Sequence, residues 1–584
     1  MQTNTKKSVP PHRRRRLSII NLGGMILFAG LLVLLVAVAI KGANINVDVT
    51  QPPDVSDDPG VTPSNTPNSS LPGFSPYALA STEPSKLINS TLIMANGLTR
   101  NSYEALEPID FGLGKDYTDA QGIVSFRGNN FRDGGSYGVL DFIPGKLSRI
   151  EKIETGVLTA PDGTEWQGSG WVGQPLVMTW PKAMRAAMNL YGWAKEQTEL
   201  TEVIYATQDG NVYFFELGTG KATRETLGLG YVFKGAGAVD PRGYPILYLG
   251  SGCDSARGVS HAFIISLIDG SILYEFGGDD YFSLRREQSS FSGSPLVDAE
   301  TDTLIYPGEN GVLYLIKLNT EYDENSGSLS INPSDIVKWR YSGIRSSDDR
   351  YWLGAKGSCV IWRGCAIIAD GGGHLMCLDL NTLTVKWAQD VLDDTVCSPV
   401  LELEGDHPYI YISTSFQKGW RDDSIAQVPI WKIDAVTGRV VWCNKDYDCY
   451  TMEDIPGGVL GTIAVGKNKL SDLIFVPVAR PAILDGPYGG FLAALDKADG
   501  HEVWRMENSG YSLSSPVVVY DKDGNGYIIH CTVEGYIYLI DGRTGDKLAA
   551  NKFDNIEASP VVYNDVIVIG TRTEGIWLMR IDPK

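Results

Sequence analysis

The stretch Asp521-Lys522-Asp523-Gly524-Asn525-Gly526 has the oxygen spacing that opens an EF-hand calcium loop. Its twelfth position is Thr532, where calcium needs a bidentate Glu, and strand-like sequence flanks it on both sides. A hairpin turn built on Asp, Gly and Asn accounts for the same residues. The eight cysteines are Cys253, Cys359, Cys365, Cys377, Cys397, Cys443, Cys449 and Cys531. Cys359 and Cys365 are spaced to face each other across a hairpin, and Cys443 and Cys449 to close a short loop. The alternative is free thiols packed as small core residues. Paired C-x₂₋₄-C spacing for zinc is absent. His374 follows three glycines, and the six histidines form no pair at metal or triad spacing. There is no G-x-S-x-G elbow and no phosphate loop. The remaining chemistry is recognition. Aromatics and Arg, the anchor types of interfaces, recur together: Tyr281 with Arg285, Tyr351 with Trp352, Trp420 with Arg421, and Tyr447 with Tyr450.

These groups sit between elements of a repeat. A unit opens on a small residue before Pro, as in Gln174-Pro175, Ser294-Pro295, Ser398-Pro399, Ser515-Pro516 and Ser559-Pro560. A short β-rich run follows. Next comes a turn glycine and a second run, such as Asp209-Gly210 before Val212-Tyr213-Phe214-Phe215. A further turn, often Thr-Gly as at Thr437-Gly438 and Thr544-Gly545, leads to a strand carrying Trp: Trp339, Trp387, Trp442 or Trp504. Units start near Trp171, Lys234, Phe291, Lys356, Val396, Gly457, Ser512 and Glu557. Such a period predicts an all-β, eight-bladed propeller of four-stranded blades, stacked in a ring because no blade can bury both its faces alone. The Trp residues read as packing between blades. The eighth unit ends without its Trp strand, and residues 147–155, which alternate apolar and polar, are the natural closing strand.

In a four-stranded blade, the loops between strands two and three and those between blades share one face. Here that face has the long loops 253–260, 279–290, 342–355, 416–428, 444–457 and 480–490. They hold all the recognition residues named above. The opposite face reads as tight turns, with an amphipathic helix over 181–197 and a polar flexible loop over 321–335 as exceptions.

The repeat resembles the quinoprotein-like (PQQ-like) propeller family, whose unit runs roughly D-G-x-L-Y-A-L-D-x-x-T-G-x-x-x-W. Residues 378–387 and 431–442 follow it closely, and Phe126-Arg127-Gly128-Asn129-Asn130-Phe131-Arg132 is similar to the F-R-G-N-x-x-R stretch that opens many such domains. The resemblance covers residues 118–584 and implies the fold. For function it implies three classes: quinone-dependent dehydrogenases, cofactor-free scaffolds such as the propeller lipoprotein of the outer-membrane barrel-assembly machine, and sensor domains. The dehydrogenases use a calcium ion beside the quinone. Many carry adjacent disulfide-bonded cysteines, and some add a haem. This sequence has no adjacent Cys pair and no C-x-x-C-H. No cofactor is therefore expected, with PQQ and calcium as the alternative, and the chain reads as a scaffold more than an enzyme.

Residues 17–40 contain no charge and follow Arg13-Arg14-Arg15-Arg16. As a helix they rise about 36 Å, enough to cross a membrane. The positive-inside rule puts residues 1–16 in the cytoplasm and the rest outside. A cleaved signal peptide is the competing reading, and the length favours a retained anchor. Residues 51–76 hold seven prolines among Ser, Thr, Asn and Asp, so 41–115 reads as a disordered linker whose last part, 77–115, is undecided between linker and packing. The propeller then spans 116–584. The net charge of −20 excludes nucleic acid as a partner. The expectation is a single-pass protein of the cytoplasmic membrane, its propeller outside the cell, binding an envelope protein, a peptide or a glycan. The alternative is a PQQ-dependent oxidoreductase.

Overall fold

A computed structural model of the chain describes residues 73–584, except 172, 253–257, 285–289, 346–353, 417–420, 422–423, 453–455 and 485. The expected anchor, residues 17–40, lies outside the described residues. Among the described residues no helix is long and apolar enough to cross a membrane.

Each repeat unit folds as a four-stranded antiparallel blade. Blade 4 is typical: Val360–Trp362, Cys365–Ala369, His374–Asp379 and Thr384–Asp390 pair in sequence order. The first three strands are almost wholly buried, and the fourth is partly exposed. First strands therefore line the axis, and fourth strands form the rim. Eight such blades make the ring.

The Trp strand packs each blade on the next. In blade 4 the buried Trp387 donates its indole N–H to Ala435 O of blade 5 at 2.9 Å. Trp442 of blade 5 does the same to Lys497 O, and Trp504 of blade 6 to Gly542 O. The Thr-Gly turn is the receiving surface. Gly438 has a φ of +71°, and a methyl placed on it would lie 2.6 Å from Trp387 Cε3. Gly500 and Gly545 receive Trp442 and Trp504 in the same way. The T-G and W of the repeat are thus the two halves of one contact.

The ring closes as the alternation predicts. Strand Pro144–Ile153 pairs antiparallel with Ile576–Pro583, with Ile153 opposite Ile576 and Pro144 opposite Pro583. It is the fourth strand of blade 8.

The small residue before Pro has a purpose at the axis. The N–H of Ser294 donates to Ser358 Oγ, Ser358 to Ser398, Ser398 to Thr462, Thr462 to Ser515 and Ser515 to Ser559, at 2.8–3.1 Å. Ser559 N–H then donates to Gly173 O of blade 1. One hydroxyl in each of blades 3 to 8 thereby joins neighbouring first strands in a belt. At Ser294, Ser398, Ser515 and Ser559 the following proline holds the residue extended.

Three expectations need correction. Residues 73–115 are not linker: Ile88–Ala95 pairs with Ser334–Gly343 as a fifth strand of blade 3, and Leu98–Arg100 adds a sixth. This strand buries Ile88, Ile93 and Met94, apolar residues that sit too sparsely in a polar stretch to show as a strand in sequence. The expected helix over 181–197 is two, Lys182–Ala187 and Gly192–Glu196. Between them Asn189 N–H bonds Ile268 O and Tyr191 N–H bonds Thr223 O, which takes the backbone out of the helix. Residues 321–330 form a hairpin, Glu321–Asp323 with Ser328–Ser330. Asp323 caps its turn by accepting from Asn325 N–H and Ser326 Oγ.

Candidate binding face and channel mouth

The axis is filled by the chain itself. Residues 121–140, which contain the F-R-G-N-N-F-R stretch, bond in turn to all eight first strands or their ends. Gln121 O accepts from Thr179, Val124 O from Val239, Asn130 O from Ile361, Phe131 O from Leu401 and Tyr137 O from Asn564. Arg132 Nη2 donates to Ser294 O at 2.8 Å, Asp133 pairs with Lys467 at 2.8 Å, and Ser136 Oγ donates to Val518 O at 2.7 Å. Arg127 and Arg132 are buried, and their guanidinium groups serve backbone carbonyls: Arg132 O and Pro516 O for Arg127, and Cys359 O, Phe126 O and Ser294 O for Arg132. Burial lowers both, Arg127 to about 10, which leaves Arg127 charged at neutral pH. The two arginines of the motif are structural ties that satisfy carbonyls left over at the hub.

Above this plug the channel opens to the long-loop face. Ser292, Lys356 and Val396, each two residues before the belt, line it on blades 3 to 5, and Trp171, Leu460, Leu513 and Glu557 hold the same position in blades 1 and 6 to 8, with Lys234 for blade 2. Phe126, from the plug, lies at the bottom with Ser358, Ser398 and Thr462. The wall is two-sided. Val396 and Leu460 pack with Ala479 and Tyr511 as an apolar patch over blades 5 to 7. The charged and polar side belongs to blades 1 to 4 and 8. Lys356 pairs with Asp394, and next to it Asp393 pairs with Arg421, Nε to Oδ2 at 2.7 Å. Burial pushes the Asp393 carboxyl up to about 6, and Arg421 limits the rise.

The expected recognition residues divide. Tyr281 stands 65% exposed, its hydroxyl 3.2 Å from Met94 Sδ of the added fifth strand. Arg421 is held by Asp393 and lies over the Phe416 ring at 4.4 Å, so it braces its loop. Tyr450 is half-buried in a small two-stranded ribbon in which Ile425–Gln427 pairs antiparallel with Asp448–Tyr450. Tyr447 is corrected: it is buried, donates to Glu502 Oε2 at 2.5 Å and packs edge-to-face on Phe491. Its alternation with the strand that follows placed it inward, a cue that aromatic content in a loop concealed. Arg285, Tyr351, Trp352 and Trp420 lie outside the described residues. Tyr450 and Arg421 share the blade 5–6 rim, whereas Tyr281 stands by blade 3. Sequence reasoning missed Trp166, Trp171 and Lys234 at the mouth. Their signal was positional, since Trp171 and Lys234 sit where each unit starts.

Residues 353–583 match the family model described as outer membrane protein assembly factor BamB, a PQQ-like repeat. Residues 353–583 carry a PQQ-like repeat, and the whole ring has the fold of a β-propeller. Quinohemoprotein alcohol dehydrogenase from Comamonas testosteroni aligns with this chain at 12% identity, over 82% of this chain and 83% of that one, with a TM-score of 0.50. BamB from Moraxella catarrhalis aligns at 15% identity, over 65% of this chain and 93% of that one, with a TM-score of 0.42. No curated protein sequence matches. At such identity the likeness is one of fold.

The family's quinone and calcium ion can be tested against these side chains. The two carboxylates beside the mouth, Asp393 and Asp394, are already closed by Arg421 and Lys356. An ion there would have to displace a cation, so this part of the propeller does not fit the pair. Asp521, the calcium-loop candidate, spends both oxygens inside its own turn, accepting from Asp523 N–H, Asn525 N–H, Asn525 Nδ2 and Tyr527 Oη. Among the described residues the one group at metal-binding distance is Asp496, Asp499 and His501. It is an exposed turn on the opposite face, in which Asp499 already accepts from His501. Seven cysteines of the propeller are free thiols, and Cys253 lies outside the described residues.

Proposed function

We propose that this propeller is a non-catalytic binding scaffold of the cell envelope, taking a protein, peptide or glycan on its long-loop face. One observation carries the reading. Trp171, Tyr281, Ile425, Met452, Ile483 and Tyr488 are all on that face and between 39% and 65% exposed. Large apolar side chains held out to water on rigid loops are the anchors of recognition sites. A matching family model described for an outer-membrane assembly factor agrees with a scaffold. We place the propeller outside the cytoplasmic membrane, tethered by residues 17–40, because an uncharged segment follows four arginines.

The test combines Tyr281→Ala with Tyr488→Ala. Both side chains are 65% exposed, so the melting temperature should stay within a degree or two of wild type. Capture of partners from native membranes should be lost. Undiminished capture would overturn the proposed face. Quinone-dependent oxidation of an alcohol after loading with PQQ and calcium would overturn the scaffold reading in favour of an oxidoreductase.

A further inference from the structure

At the junction of blades 8 and 1, several polar groups converge on a glycine. A methyl placed on Gly170 would lie 2.6 Å from Gln208 Nε2, 2.7 Å from Arg572 Nη1 and 2.8 Å from Glu557 Oε2. Gln208 is fully buried. Its Oε1 accepts from Arg572, while its Nε2 has no acceptor. A buried amide donor left without a partner costs about 1–3 kcal/mol, a cost that a water or a hydroxyl entering beside Gly170 would relieve. Beside it Trp171 is 41% exposed and holds a φ of +61°. That backbone is strained for a bulky residue, and Glu557 fixes it by accepting Trp171 N–H at 3.0 Å. Lys234 Nζ lies 4.6 Å from the Trp166 ring centroid and 4.7 Å from that of Trp171. The result is an indole face at the channel mouth, bordered by two cations, one carboxylate and an unused amide donor.

We propose that this cradle is a subsite for an acidic sugar residue of a glycan. The C–H face of a pyranose covers an exposed indole, as a flat apolar surface requires. Hydroxyl groups both donate and accept, which matches Glu557 as acceptor and Gln208 Nε2 as donor. The carboxylate of the sugar meets Lys234, with Arg572 behind it; Arg572 already pairs with Glu557 at 3.8 Å, so of these three charges the one left over is positive. A planar polyanion without hydroxyls would leave Glu557 facing negative charge. The inference rests on the scaffold reading and selects the glycan from its three partner classes.

The experiment titrates the full-length protein with a galacturonate trisaccharide and with the neutral galactose trisaccharide, following tryptophan fluorescence and heat. The acidic sugar should quench the emission and bind roughly tenfold tighter than the neutral one, the worth of one charge-assisted hydrogen bond. Trp171→Ala should abolish quenching. Arg572→Lys, which keeps the charge, should retain the preference for the acidic sugar, and Arg572→Gln should remove it at a cost in melting temperature from the loss of the bond to Gln208. Gly170→Ala should block binding, and Lys552→Gln on the rim of blade 7 should leave it unchanged. No heat and no quenching from wild type would overturn the cradle, as would binding that neither Trp171→Ala nor Arg572→Gln weakens. If glycan binding fails while membrane partners are still captured, the cradle falls and the scaffold stands. Glycan binding without partner capture supports the cradle and moves the scaffold role to glycans alone.

Discussion

Two buried side chains near the channel mouth pull the pH dependence of stability in opposite directions. His530 is fully buried, and burial drives it down to about 3. Below the unfolded value of about 6.5 the unfolded chain takes up a proton that the folded one refuses, so stability is lost as pH falls. Asp393 is held up at about 6 by burial. The folded state therefore binds a proton more readily than the unfolded chain, and this term grows more favourable as pH falls through about 6. The histidine is displaced further and should dominate. Between pH 7 and pH 5 its term alone removes about 2 kcal/mol and that of Asp393 returns about 1, so wild type should lose roughly 0.5–1 kcal/mol. Denaturant unfolding at the two pH values checks this: His530→Gln should flatten the acid loss, and Asp393→Asn should steepen it. Neither role was legible in the sequence. The Asp521 turn was, because its ligands all come from residues 521–527, whereas the partners of His530 and Asp393 come from Asn508 and Arg421 on other elements.

The blade junction shows what the repeat encodes at the level of elements. Its Trp and its Thr-Gly turn lie in different blades, so no single unit shows why both are there. Sequence reading found the Trp as packing and the glycine as a turn, and the structure shows that they touch. Gly438→Ala would put a methyl against Trp387 and a side chain at positive φ. The expected loss is about 2–4 kcal/mol, adding overpacking to left-handed strain. Matching variants at Gly500 and Gly545 should behave alike, whereas Gly405, at positive φ but with open space around it, should lose only the backbone part. Thermal unfolding of the four variants makes the comparison. The strand Ile88–Ala95 escaped the same reading because it belongs to no repeat. It is specified by the blade it covers and not by a period of its own.

For the whole molecule, two N-terminal cuts should differ sharply. A chain beginning at Tyr117 loses the strands added to blade 3 and the segment bonded to blades 4 and 5, but keeps the plug and the closing strand, and should fold with a lower melting temperature. A chain beginning at Gly168 also loses the plug and strand Pro144–Ile153, which leaves the edge of Ile576–Pro583 unpaired and the hub carbonyls without their arginines. It should be insoluble or molten. Equal solubility and cooperativity for the two would show that neither plug nor closing strand matters.

The ring closure also sets an order in time. Lys146 pairs with Asp582, so a strand made early has its partner only after the other seven blades have been made. The plug likewise waits for Val518 and Asn564. Contacts this distant in sequence make folding slow. Until Ile576–Pro583 is made, the ring must persist with an open flank. A chain stalled or clipped shortly before Ile576 would carry seven complete blades and still be unable to finish, leaving a long-lived, sticky intermediate for quality control to remove.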